Sequence, residues 1–179
     1  MKRMIVQRIL RESFPQVDSD DPVSYFGEAG NVVDALMYGW LYWPNLVEFH
    51  GAVFLALDGH DEADIAERLA TPVADAHPDW PEMSWAEAVD SFNILEVEHL
   101  FSQWRGSVEL YGDVHRELGR ILVQAWTGRL VTAYPERRFT VILIDADDSM
   151  GLRIEVSQRS PALVTPEGWD ARRRGIITD

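Results

Sequence analysis

The sequence predicts an α+β fold: a small antiparallel or mixed sheet of three to four strands with several packed helices, in which a C-terminal helix is followed by a β-hairpin. Three observations predict it. Apolar residues recur at three- and four-residue spacing in several segments, as an amphipathic helix requires. They alternate with a period of two near residues 46–57, 138–145 and 152–158, as a half-covered strand requires. The 179 residues are 46% hydrophobic and 26% charged, which is ordinary globular composition.

Taken in order, Ile5, Ile9 and Leu10 fall at helical spacing and predict a helix from Met4 that stops at Phe14-Pro15. Asp18 to Pro22 reads as an acidic turn. Val33, Leu36, Met37, Trp40 and Leu41 lie along one stripe of a helix near 31–42, which Pro44 ends. Leu46 to Leu57 reads as one strand, with Val47, Phe49, Val53, Leu55 and Leu57 on one face and Gly51 marking a bulge or a close backbone approach. Asp61 is a candidate N-cap for a helix ending at Thr71-Pro72.

Residues 73–83 hold two prolines, directly after Pro72, and no sustained period, which predicts an ordered loop. Ser84-Trp85-Ala86-Glu87 has the capping-box pattern, in which serine and glutamate satisfy each other's backbone amides. The helix it opens carries Trp85, Val89, Phe92 and Leu95 and is expected to reach about residue 102. Val108 and Leu110 allow a short strand. Val114, Leu118, Ile121, Leu122, Ala125 and Trp126 define a long helix near 113–134, ended by Pro135. The alternation of 139–144 and 152–157 about Asp147-Asp148 supplies the hairpin. One domain is expected over residues 1–160. Residues 161–179 form a C-terminal extension, docked through Trp169 or loose. Trp40, Trp85 and Trp126, on helical stripes, read as core residues.

Charge is unevenly placed. Sixteen Lys and Arg stand against thirty Asp and Glu, a net charge of −14. Residues 13–104 contain eighteen carboxylates and a single base, Arg68, whereas bases and acids balance after residue 104. Such a block repels phosphate backbones and anionic headgroups, so neither direct nucleic-acid binding nor membrane association is expected. No apolar run approaches the ~20 residues of a bilayer span. Gln7 and Arg8 interrupt the apolar run after Lys2 and Arg3, so no signal peptide is read and a cytoplasmic location is expected.

Several chemistries lack their signatures. Cysteine is absent, which excludes disulfides, thiolate metal sites and cysteine nucleophiles. No glycine-rich phosphate loop and no GxSxG elbow occurs, and Lys2 is the one lysine. No cofactor is implied. The enzymatic alternative is a metal-dependent hydrolase or other small enzyme using His50, His60 and nearby carboxylates. Glu48 and His50, two apart on a strand, would share a face, and His60 and Asp64 would lie on adjacent helical turns. Asp58 and Asp61 are also near. Glu96-Val97-Glu98-His99 has ExxH spacing, but di-metal bundles need a second copy, which does not occur.

The expectation that remains is a protein-binding or inhibitory role toward a basic partner, and not an enzyme. Candidate contact residues are Asp75, Asp79, Trp80, Glu82 and Glu87, where an aromatic anchor sits among carboxylates. This profile is similar to that of inhibitor or immunity-type proteins that neutralise a basic toxin. The similarity rests on composition and architecture and carries no site residue.

Overall fold

The computed structural model describes residues 3–19, 21–57, 61–71, 73, 81–101, 103 and 107–177 of the chain. Among the described residues there are six α-helices and seven strands in small antiparallel sheets, an α+β architecture. Helices α1 (Arg3–Ser13), α2 (Pro22–Glu28) and α3 (Val32–Tyr42) come first. Strands β1 (Asn45–Phe49) and β2 (Ala52–Ala56), helices α4 (Glu62–Ala70) and α5 (Trp85–Phe92), and strand β3 (Ile94–Glu96) follow. The long helix α6 (Tyr111–Ala133) leads into the hairpin β4 (Arg138–Ile144) and β5 (Arg153–Ser160), and β6 (Trp169–Asp170) pairs with β7 (Gly175–Ile176). The three-stranded sheet has the order β3-β5-β4.

The chain divides into two compact units. One comprises Met1–Trp43, Leu95–Trp126 and Leu143–Ile154; the other comprises Pro44–Ile94, Thr127–Ile142 and Glu155–Asp179.

In the second unit, Val47, Ala52, Phe54, Ala56, Ile65, Leu69, Trp85, Val89 and Ile176 form a continuous buried cluster. Phe54 lies edge-on to Phe92 and Trp85, at ring separations of 5.0 and 6.2 Å, and Trp85 meets Trp169 at 5.3 Å. Edge-on contacts of this kind suit the quadrupole of each ring and add to plain burial. The last segment is docked: Trp169 Nε1 donates to Met83 O at 3.1 Å and Ile176 is buried in the cluster. Asp170 Oδ1 accepts from the amides of Arg172 and Arg173, which turns the chain between β6 and β7.

The first unit buries Val17, Tyr25, Val97, Leu110, Leu122, Trp126, Leu152 and Ile154. Trp126 Nε1 donates to Leu41 O at 2.8 Å, tying the C-terminal end of α3 to α6. Gly119 of α6 lies where a Cβ would come within 2.6 Å of Leu143 Cδ1, so the absent side chain is what lets strand and helix approach.

Four readings of the sequence change. The expected strand 46–57 is a hairpin whose two-residue loop is His50-Gly51, with φ of 47° and 75°. The type I′ hairpin turn needs positive φ at both central residues. The register pairs Val47 with Phe54 and Phe49 with Ala52. The turn therefore reverses the parity of the face: Val47, Phe49, Ala52, Phe54 and Ala56 meet the core together. The helix expected to run to 102 stops at Phe92. Asn93 caps it, and Ile94–Glu96 joins a sheet instead. Val108 and Leu110 lie in a single 3₁₀ turn leading into α6, not in a strand. Finally, α3 has no buried residue, so its apolar stripe, Trp40 included, is not core.

Candidate functional site

The expected contact residues are only partly visible. Asp75, Asp79 and Trp80 lie outside the described residues. Glu82 and Glu87 are exposed. The Glu87 carboxylate is engaged at the start of α5, where Oε2 accepts from Ser84 N and Ser84 Oγ, each at 2.7 Å. Those bonds, the hydroxyl's first, hold its pKa below the usual carboxylate value. Asp90, one turn later, is shifted upward because partial burial outweighs the Ser157 hydrogen bond and the charge of Arg159.

The metal alternative loses its geometry at one end. His50 occupies the β1–β2 turn, so it does not share a strand face with Glu48; its ring meets Phe49 edge-on at 4.2 Å. Glu48 is ion-paired with Arg137, whose guanidinium also donates to Gly51 O and covers the Tyr134 ring at 4.9 Å. Asp64 closes the α4 capping box: its Oδ2 accepts from Asp61 N, and Asp61 Oδ1 accepts from Asp64 N. His60 and Asp58 lie outside the described residues. Among the described residues no group of three His, Asp or Glu side chains converges as a metal site would require.

The ExxH segment is a local polar turn, with His99 Nδ1 3.6 Å from Glu96 Oε1 and Glu96 Oε2 accepting from Gly151 N at 2.8 Å. His115 and Glu117 are both buried. His115 Nδ1–H donates to Tyr111 O at 2.7 Å and Glu117 pairs with Arg120 at 3.2 Å, so each is satisfied on its own. A shallow cavity of about 480 Å³ lies beside Glu117, Arg120, Gln124 and Leu143. Its one acid is already paired to its one base, which leaves no convergent reactive group.

A feature that the sequence did not announce is the outward side of α2 and α3. Both helices begin with well-formed caps: Asp21 accepts from Val23 N ahead of Pro22, and Asn31 Oδ1 accepts from Val33 N at 2.8 Å. Between them α2 ends at Ala29-Gly30, whose amides both donate to Tyr25 O. A Cβ on Gly30 would fall 2.8 Å from Phe26 O, so this close turn is built for glycine. Tyr25 turns inward and meets Phe14 edge-on at 6.2 Å. The outward residues are large and apolar: Phe26 and Trp40 are each 72% exposed, Leu36 70% and Val33 66%.

The best-covered positions of α3 are Asp34, Leu41 and Tyr42. Burial, reinforced by Tyr38, raises the Tyr42 pKa. An apolar helix is ordinarily buried on most sides, and a contiguous exposed apolar patch marks an interaction surface. No helix among the described residues is long and apolar enough to cross a membrane. No family model, no curated protein and no solved structure matches this chain.

Proposed function

We propose that the protein is a binding module acting on a basic protein partner, in the manner of an inhibitor or immunity-type protein. The observation that carries this reading is the charge block: eighteen carboxylates and one base across residues 13–104. Asp18, Asp21, Glu28, Glu62, Glu67 and Glu82 within it are exposed. A one-sign field raises the encounter rate with a cationic surface about tenfold to a thousandfold, and the gain falls as salt rises. Affinity then depends on a few desolvated anchors, for which exposed aromatic side chains are suited. A nuclease-like protein has a suitable face, because its own substrate is polyanionic and carboxylates can occupy the positions of phosphates. Asp75, Asp79, Trp80, Glu82 and Glu87 remain the proposed contact group within residues 75–87.

The test is retention of proteins from the source-cell extract on the immobilised chain at low and high salt, followed by association kinetics with whatever is retained. The expected result is a basic protein whose association rate falls at least tenfold between 50 and 500 mM salt. A rate that is unchanged by salt refutes electrostatic steering. Binding that survives Trp80→Ala together with Asp79→Asn and Glu82→Gln removes residues 75–87 as the contact.

A further inference from the structure

We propose that the cavity beside α6 is a binding site for a free α-amino acid with an apolar side chain. Its residues lie outside the acidic block 13–104, so it is independent of the basic-partner reading. Glu117, Arg120, Ile121 and Gln124 fall at i, i+3, i+4 and i+7 of α6 and so share one face of the helix. Leu143 of β4 lines the same cavity. Gly119 seats it: a Cβ there would come within 2.6 Å of Leu143 Cδ1 and push that side chain away. The volume of about 480 Å³ lies within the ~300–1,000 Å³ of small-molecule pockets.

The charged pair in this cavity is only partly used. The Glu117 side chain is 7% exposed, yet a single contact serves it, Arg120 Nη1 to Oε2 at 3.2 Å. Its Oε1 accepts nothing from the described residues. A carboxylate so far removed from water ordinarily has its acceptors served. Arg120 is 55% exposed and, among the described residues, gives one of its five N–H donors to this pair. An open acceptor and several open donors therefore stand together, and half-buried Ile121, Val123 and Leu143 line the same space.

Charge selects the occupant. A simple cation drawn to Glu117 is opposed by Arg120, and a simple anion drawn to Arg120 is opposed by Glu117. A molecule with an ammonium and a carboxylate on one carbon meets both needs. Its ammonium donates to Glu117 Oε1, and its carboxylate accepts from the remaining guanidinium donors. Its side chain is then left to cover the apolar walls.

The experiment uses the full chain, with titration calorimetry and thermal melts. The probes are L-phenylalanine, L-leucine, glycine, phenylalanine amide, which lacks the carboxylate, and N-acetylphenylalanine, which lacks the ammonium. Phenylalanine or leucine is expected to bind one to one, at least tenfold tighter than glycine, the amide or the acetylated form. In Arg120→Gln, phenylalanine should fall to the affinity of its amide. In Glu117→Gln, it should fall to that of the acetylated form. An ion pair with a purely structural role would leave these preferences unchanged. Arg120→Gln, at an exposed position, keeps the test valid should Glu117→Gln disturb the fold.

No binding of phenylalanine or leucine at millimolar concentration overturns the proposal. Glycine binding as tightly as phenylalanine does the same, because the apolar walls then contribute nothing. Equal binding of the amide assigns the cavity to the first residue of a peptide, and equal binding of the acetylated form assigns it to the last. Either result overturns the free amino acid as ligand. Binding that survives both substitutions lies elsewhere on the chain and overturns this site.

Discussion

Asn93 is expected to be the most consequential polar side chain of the second unit. It is 5% exposed and sits at the C-terminal end of α5. Its Oδ1 accepts from Leu55 N and its Nδ2 donates to Val53 O, both at 2.9 Å. These are the groups that β2 directs away from β1, and Val53 and Leu55 are themselves buried. Asn93→Ala leaves one donor and one acceptor without partners. Each orphaned group costs about 1–3 kcal/mol, so the substitution should cost about 2–6 kcal/mol, a large share of the usual 5–15 kcal/mol of a domain. In urea denaturation that is a fall in midpoint of roughly 1–3 M.

Asn93→Asp sharpens the test. One carboxylate oxygen can still accept from Leu55 N, but the other faces Val53 O, acceptor against acceptor. Only the protonated acid restores the second bond, so the introduced group has a folded pKa above its unfolded value of about 3.9. A raised pKa gives stability that is present below the unfolded value and lost as pH rises through the folded one. The deficit of Asn93→Asp relative to wild type should therefore be smallest near pH 3.5 and grow toward pH 7. A cost below 1 kcal/mol for Asn93→Ala refutes the reasoning. A pH-independent deficit for Asn93→Asp, or an unchanged exchange rate of the Leu55 amide in either variant, does the same.

Further outcomes follow from the helices. Gly128→Ala in α6, with nothing within 4 Å of the new methyl group, should raise stability by about 1 kcal/mol. Gly119→Ala in the same helix pushes against Leu143, and overpacking of about 1–3 kcal/mol should cancel or reverse that gain; equal Tm shifts for the two would refute the contact. Ser84→Ala should cost about 1 kcal/mol by removing the α5 cap. Because the folded pKa of Glu87 is depressed, its part of the cap is present above the ordinary carboxylate value of 4.5 and lost as pH falls; the Tm gap between wild type and Glu87→Gln should close below that pH. Asp90 has the opposite sign: its folded pKa is raised, so wild type should lose ground to Asp90→Asn as pH rises from 3 to 7 in thermal melts.

Features set by a few neighbouring residues were legible in the sequence by itself. The Asp61 and Ser84 caps, the stops at Pro44 and Pro135, and the hairpin about Asp147-Asp148 are all present. Each depends on hydrogen bonds or φ restrictions within three or four residues, so the local sequence contains the whole cause. Proline and an N-cap act before any distant contact forms. The α+β class was legible for the same reason, since periods of 3.6 and 2 are local.

Tertiary structure decided the rest, in each case because a partner distant in sequence outweighed a local preference. Nothing between Trp85 and Gln103 breaks a helix, yet α5 ends at Phe92, because Asn93 satisfies β2 and Ile94–Glu96 pairs within the sheet. His50-Gly51 lacks the asparagine or aspartate that usually signals a two-residue turn, so the parity reversal of β2 became visible only through its pairing with β1. Hydrophobic spacing told which residues of α3 share a stripe but not which way that stripe faces. Half-burial of Asp34, Leu41 and Tyr42 and the Trp126–Leu41 hydrogen bond turn it outward. A pattern of apolar residues specifies a surface that must be covered; only the fold determines whether the protein covers it itself.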